Sequence, residues 1–448
     1  MSKRVVIIGG GISGLAAAYW LMKEHVDVYV LEKAGQAGGS MDTQTESDFL
    51  FDRGPNSGLD ITPLLGEMVQ GLELEEELVY ADSIGNKRYI LRDNQLHPLP
   101  MSPPALIKSK LFSTAGKLRL LKEPFVGRSE DGYYQSVAQF VHRRLGQEFL
   151  DYAINPFISG VYAGRPEDLS VKSAFPKLYE LEENYGGLIM GTIRSMRKRK
   201  KSKETSKQSA KMFSFRNGMQ TLPKAIAKKL KDRFIPLADV QEIVKENNKY
   251  ILNYNNAGTM KTIEADIVLS TTPAYIAAEL FNKFDSKLTN HLNDIYYPPV
   301  MVVYTAFNTA DIKQPLDGFG FLIPEKEKKN FLGSIWSSML FPNRTAEGTA
   351  SFTIFTGGSR QTTIATEDKE KVVNRTLREF KEIMGIDELT DPVHLSHRYW
   401  AKAIPQYRVG YIEHEKYFAE FEKKFPELLI GGNYRGGISV GDCLKNSK

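Results

Sequence analysis

Val5-Val6-Ile7-Ile8-Gly9-Gly10-Gly11-Ile12-Ser13-Gly14-Leu15 sets Gly9, Gly11 and Gly14 in a Gly-x-Gly-x-x-Gly spacing directly after an apolar run. Glu32 closes a second apolar run, Val28-Tyr29-Val30-Leu31, 18 residues beyond Gly14. These residue types at this spacing suit the binding of a dinucleotide. Gly9 allows a tight turn, Gly11 lets a pyrophosphate approach the backbone, and Gly14 lets helix and strand pack closely. A helix opening at Ile12 and Ser13 offers free N–H groups and a partial positive charge to phosphates. The Glu32 carboxylate can accept hydrogen bonds from the adenosine ribose, and an acid there disfavours a 2′-phosphate. A glycine triplet alone would fit an ordinary tight turn. The strand–turn–helix–strand setting with its terminal acid makes the motif specific.

The elements that must hold such a site are spread along the chain. The dinucleotide unit fills the first 35 residues, and Gly38-Gly39-Ser40-Met41 and Phe51-Asp52-Arg53-Gly54-Pro55-Asn56-Ser57 follow it. Residues 85–200 read as mainly helical, with helical spacing in Leu111–Leu121 and Val137–Leu150 and breaks at Pro98, Pro100, Pro103 and Pro104. A helix is predicted from Leu222 to Leu230. Strands follow around Asp239–Val244 and Tyr250–Tyr254, with Asn255-Asn256-Ala257-Gly258 as a hairpin turn. Ala265–Thr272 reads as a buried strand. Alternation in Pro299–Phe307, Gly318–Ile323 and Ser351–Phe355 predicts an antiparallel sheet, and Leu428-Leu429-Ile430-Gly431-Gly432 returns to strand and glycine turn. The expected class is α/β (α+β overall). A discontinuous Rossmann-like domain (1–84, 212–275 and 401–448) would carry an inserted helical domain (85–211) and a β-rich domain (276–400).

At 448 residues, 42% hydrophobic and 25% charged, with mean hydropathy −0.33, the chain reads as a multidomain globular protein. No apolar stretch approaches membrane-spanning length, and the N-terminus enters the first strand without a signal-like segment. With Cys443 as the one cysteine, no internal disulfide and no cysteine metal cluster can form. A cytoplasmic location is the expectation. The net charge of +5 belongs to one segment: residues 194–211 hold nine basic residues and one acid, leaving the remainder slightly acidic. That run suits a solvated loop or docking on anionic lipid. Interleaved aromatics are missing from it, so nucleic-acid binding is not expected.

Taken in order, the opening fingerprint, Gly38-Gly39, Gly54-Pro55, Ala265-Asp266-Ile267-Val268-Leu269 and the C-terminal glycine turn resemble the FAD-dependent amine oxidase and protoporphyrinogen oxidase superfamily over nearly the whole chain. Four segments look like its porphyrinogen-oxidising branch: Gly54–Ser57, Leu96–Pro100, Tyr399–Tyr407 and Gly432–Cys443. Asn155–Gly164 is also similar. The resemblance implies FAD as cofactor. Gly9, Gly10, Gly11, Ile12, Ser13, Gly14, Glu32 and Lys33 would hold its ADP half, and Gly39 and Ser40 would lie by the pyrophosphate. Gly54, Pro55, Asn56 and Ser57 would line the flavin, and the Val240 backbone would meet the adenine edge. Trp400 would pack near the isoalloxazine. Ile438, Ser439 and Val440 would flank its pyrimidine end at a helix mouth whose dipole favours anionic reduced flavin. Many members carry Arg where Ser40 stands, so that pyrophosphate contact is lost here.

The implied substrate is a porphyrinogen, an apolar macrocycle bearing propionates. Arg88 matches a propionate-binding Arg, whose fork suits a carboxylate, although a surface strand Arg would look the same. Leu316, Leu332 and Phe352 match residues that sandwich the ring, or are simply core. The implied reaction passes hydride to the flavin in three two-electron rounds, with O2 as acceptor and H2O2 as product. No acid–base dyad and no catalytic side chain is expected. His97 reads as structural, Cys443 as a buried thiol, and His394 and His397 lack a third ligand for a metal. Protoporphyrinogen is the first expected substrate and coproporphyrinogen the alternative. Amine oxidation and a non-catalytic escort role remain as further alternatives. Pro103–Phe112 and Gly116–Lys122 mix apolar and basic residues in a way that suits peripheral membrane contact, or ordinary helix packing. A homodimer is a further possibility that the resemblance raises.

Overall fold

The computed structural model describes residues 3–131, 133–199 and 210–448; residues 200–209, most of the basic run, lie outside them. A five-stranded parallel sheet runs in the order Phe234–Ile235, Asp27–Leu31, Arg4–Ile8, Ile267–Ser270, Leu428–Ile430. Distant parts of the chain therefore meet in one sheet. Arg4–Ile8 takes a central place because its apolar side chains are buried on both faces. Val6 and Ile8 enter one core, and Val5 and Ile7 another. Helix Ile12–Lys23 packs into the second core beside helices Thr221–Leu230 and Val440–Asn446. A three-stranded antiparallel layer, Ala238–Glu246, Lys249–Asn256 and Thr259–Ala265, lies alongside. Its second turn uses positive φ at Ala257 and Gly258, within the predicted hairpin.

A seven-stranded sheet runs in the order His394–Trp400, Val300–Asn308, Thr349–Gly357, Gly333–Ile335, Gly320–Leu322, Arg88–Arg92, Gln95–Pro98. The hairpin 88–98, assigned by sequence to the helical insertion, thus belongs to this sheet: Arg88 pairs with Gly320 and Ile90 with Leu322. Its two faces separate by the period-2 rule. Met301, Val303, Phe307, Phe321 and Phe352 point to helix Lys369–Met384 and meet Val372, Val373 and Phe380. Val300, Val302, Tyr304 and Leu332 point the other way, toward Phe51 and Trp400.

The helical insertion packs partly on that second face, where Ile90 and Leu322 meet Leu111, Phe112 and Tyr152. Helix Val137–Leu145 starts at a capping box between Ser136 and Gln139. Its buried Arg144 bonds Glu123 at 2.7 Å and also Glu182, tying three helical segments together. Removing both carboxylates would strand a buried charge, at a cost of about 3–5 kcal/mol. The π-helical turn Leu150–Ile154 then runs into helix Asn155–Tyr162. Among the described residues no helix is long and apolar enough to cross a membrane, and no group of three or more His, Cys, Asp or Glu could hold a metal ion.

Candidate active site

The glycine turn is built by close approach of backbones. Gly9, at φ +110°, donates its N–H to Leu31 O at 2.9 Å, and Thr271 Oγ1 donates to Gly9 O at 3.1 Å. A Cβ on Gly14 would overlap Gly9 O and press on Thr271 Oγ1, so Gly14 is required by packing. Gly11 differs. Its φ of −74° is ordinary, and a Cβ there would meet nothing within 4 Å. Gly11 is also the N-cap of helix Ile12–Lys23 and gives no side-chain cap, so the first-turn N–H groups at Ile12 and Ser13 face that open space.

Glu32 closes the turn from below. Its Oε2 accepts Gly10 N–H at 2.6 Å and its Oε1 accepts Ala34 N–H at 2.7 Å. Each oxygen keeps a lone pair for a ribose hydroxyl. Lys33 turns away to Asp239 at 3.0 Å on the surface. Ala238 N–H bonds the Glu32 carbonyl, and Val240 follows two residues later on the same strand. The second glycine pair joins the first: Gly38 donates to Gly10 O at 2.9 Å, and a Cβ on Gly39 would stand 3.2 Å from Gly11 Cα. Ser40 is exposed, with its carbonyl against Gly54, where a Cβ would overlap it.

The far end of the site is assembled across the chain. Trp400 Nε1 donates to Arg53 O at 2.9 Å, which fixes the indole beside the turn Gly54-Pro55-Asn56-Ser57. Asn56 Nδ2 donates to Asp52 O, while its buried Oδ1 has no partner among the described residues. Arg53 pairs with Asp42 at 2.6 Å. Behind them Asp52 faces Arg344 at 3.8 Å, and burial pushes the Asp52 carboxyl up despite that guanidinium. Ser439 is a cap: its Oγ accepts Asp442 N–H at 3.1 Å and donates to Asp442 Oδ2 at 2.6 Å. The Val440 side chain lies in the core. Ser439 and Val440 therefore offer backbone to a ligand, with Ile438 half-buried before them.

These residues fit a dinucleotide with a flavin. An open, uncapped helix end stands at the phosphate turn, a carboxylate is held for the ribose, and an orphaned amide oxygen stands at the other end. Sequence reading missed Phe51, which packs on Tyr304 at 5.3 Å and His394 at 4.4 Å, and Tyr407, which bonds the C-terminal turn. Only its place within the Tyr399–Tyr407 segment pointed to Tyr407.

On the substrate side, Arg88 and Leu332 lie on the sheet face that carries Trp400. Arg88 is half-buried with its guanidinium 5.3 Å from the Phe319 ring and no carboxylate partner among the described residues; burial lowers its pKa. Its neighbour Lys87 is instead spent on Asp317. Leu332 is buried with Val300, Val302 and Trp400. Phe352 is a correction. It is fully buried on the opposite face, 5.0 Å from Phe380, because strand alternation turns it toward the covering helix. Leu316 is half-buried against that same core and does not share a wall with Leu332.

Residues 12–446 match the family described as flavin containing amine oxidoreductase. Over 99% of its length the chain is 33% identical to protoporphyrinogen oxidase 2, chloroplastic/mitochondrial, of Arabidopsis thaliana, covering 92% of that protein. It is 28% identical to coproporphyrinogen III oxidase of Bacillus subtilis (strain 168), with 100% and 96% of the two chains covered. A crystal structure of a candidate protoporphyrinogen oxidase from Exiguobacterium sp. 255-15 superposes over 100% of this chain and 97% of that one, with a TM-score of 0.80 at 22% identity. A reduced UDP-galactopyranose mutase has the same fold at a TM-score of 0.75 and 14% identity, with 100% and 92% covered. The cradle, the flavin-side turn and these full-length matches agree on one conclusion: the chain belongs to the flavin containing amine oxidoreductase family and is an FAD-dependent oxidoreductase.

Proposed function

We propose that this enzyme oxidises protoporphyrinogen IX to protoporphyrin IX, as a step of haem synthesis. The observation that carries the reading is Arg88, a half-buried guanidinium with no carboxylate partner among the described residues, on the same sheet face as Trp400 and Leu332. A desolvated Arg is matched by a ligand anion, and a propionate accepts its fork in two parallel bonds. Val302, Leu332 and Trp400 provide the apolar wall that a tetrapyrrole needs and keep water from its faces. FAD supplies the two-electron acceptor when bound. The chain's own part is to hold the ring by its propionate, orient a meso carbon toward the flavin and exclude solvent. Loss of six electrons then takes three rounds, with O2 as the terminal acceptor.

Coproporphyrinogen III is the second reading, favoured by the full-length match to the Bacillus subtilis protein. Purified protein given each porphyrinogen in turn, with porphyrin fluorescence followed, separates the two. Faster turnover of the four-propionate substrate would replace the first reading by the second.

We also propose peripheral contact with an anionic membrane surface. Helices Pro103–Lys108 and Thr114–Leu120 and the turn after them expose Ile107, Leu121 and Phe125 beside Lys108, Lys117 and Lys122. Apolar tips next to the exposed Lys108 and Lys122, with Lys117 held on the Ile107 and Ser109 carbonyls, suit a lipid surface. The protein is expected to sediment with anionic vesicles at low salt and to leave them when Phe125 and Leu121 are both changed to Ser. Recovery in the supernatant at every salt concentration would refute the contact.

A further inference from the structure

The C-terminal glycine turn is held from behind by phenols on the segment that follows Trp400. Tyr407 Oη donates to Asn433 O at 3.0 Å and accepts Gly437 N–H at 3.0 Å, so one hydroxyl spans both ends of the loop. Four residues on, Tyr411 Oη donates to Tyr434 O at 2.5 Å, with the two rings 4.4 Å apart. Both rings are fully buried, and burial holds the Tyr407 phenol in its protonated form. Gly437, at φ +130°, is the residue immediately before Ile438, Ser439 and Val440. The Tyr407 carbonyl meanwhile accepts Ser170 N–H at 2.8 Å, and Gln406 Nε2 donates to Tyr162 O at 2.7 Å. One short segment therefore grips the helical insertion on one side and the flavin-side turn on the other.

We infer that Tyr407 is a positioning residue for the flavin: its hydroxyl fixes the turn that aims the Ile438–Val440 backbone at the cofactor. The inference rests on the reading of that turn as the flavin's pyrimidine-end contact. A loop bearing positive-φ glycines at 432, 436 and 437 has little stiffness of its own. Without the phenol oxygen, Gly437 N–H and Asn433 O would be left unpaired in a partly buried place and the turn would relax to satisfy them. The ring of a phenylalanine would fill the same space, so the Tyr407→Phe change tests the hydroxyl alone.

Apo-protein carrying Tyr407→Phe is expected to bind FAD about tenfold more weakly than wild type, as followed by quenching of free FAD fluorescence. Its bound flavin should show a shifted visible band and a changed reduction potential. A packing role alone would lower the melting temperature of the apo-protein and leave spectrum and potential as they are. Tyr411→Phe, which removes one bond to the same loop, should shift both in the same direction by less. Flavin affinity within about twofold of wild type, with an unchanged band and potential, would overturn the inference. Should Tyr407→Phe fail to fold, Tyr411→Phe decides by the same readouts. None of these readouts uses a porphyrinogen, so a protein that binds FAD normally but oxidises no porphyrinogen would refute the proposed reaction and leave this test standing.

Discussion

Changing Arg88 to Ala is expected to lower kcat/KM for protoporphyrinogen by about 100-fold, since losing a desolvated charge pair is worth about 2–5 kcal/mol. Most of the loss should appear in KM, because the guanidinium binds a propionate remote from the reacting carbon. Arg88→Lys should recover part of it: the charge returns, but an ammonium cannot fork onto a carboxylate. The change should fold well. Among the described residues Arg88 has no carboxylate partner to strand, and burial already disfavours its charge. FAD content should be unchanged, because Arg88 lies on the seven-stranded sheet and not at the glycine turns. Steady-state porphyrin fluorescence measures the effect. A variant within about threefold of wild type would remove Arg88 from the substrate site.

Gly11→Val is expected to give a folded but colourless protein. The φ of −74° suits any L-residue and nothing within 4 Å opposes a Cβ, so the apo-protein should fold, at a cost of about 1 kcal/mol for a valine at the N-cap. The branched side chain would instead occupy the space in front of the uncapped helix end, where the pyrophosphate must sit. Gly14→Val is the contrasting case. Its Cβ would overlap Gly9 O, so that variant should lose stability itself. Visible absorbance of the purified proteins, with thermal melts after FAD is stripped, separates the two outcomes. Normal flavin content in Gly11→Val would mean that the phosphates do not lie at this turn.

Much of the nucleotide end was legible in the sequence because its geometry is local. Glu32 meets the glycine turn through one strand–helix–strand unit, and residue spacing encodes that directly. The substrate end was less legible. Alternation in 351–355 announces two faces, but which face meets a helix depends on Lys369–Met384, which lies further along the chain. Phe352 was therefore matched to the substrate site, whereas it lies in the core that faces this helix. The hairpin 88–98 was lost to the helical insertion because its partner, Gly320–Leu322, lies more than 200 residues away. Tyr407 carries no periodic signal, and its role appears only once the loop Gly431–Gly437 closes over it.

The most direct measurement is anaerobic addition of protoporphyrinogen to the FAD-loaded protein, with the flavin's visible absorbance and porphyrin fluorescence recorded together. The flavin band is expected to bleach as porphyrin forms and to return when O2 is admitted. The Arg88→Ala protein, equally yellow, should bleach far more slowly at the same substrate concentration. A band unchanged by porphyrinogen in wild-type protein that carries FAD would contradict porphyrinogen oxidation at this site.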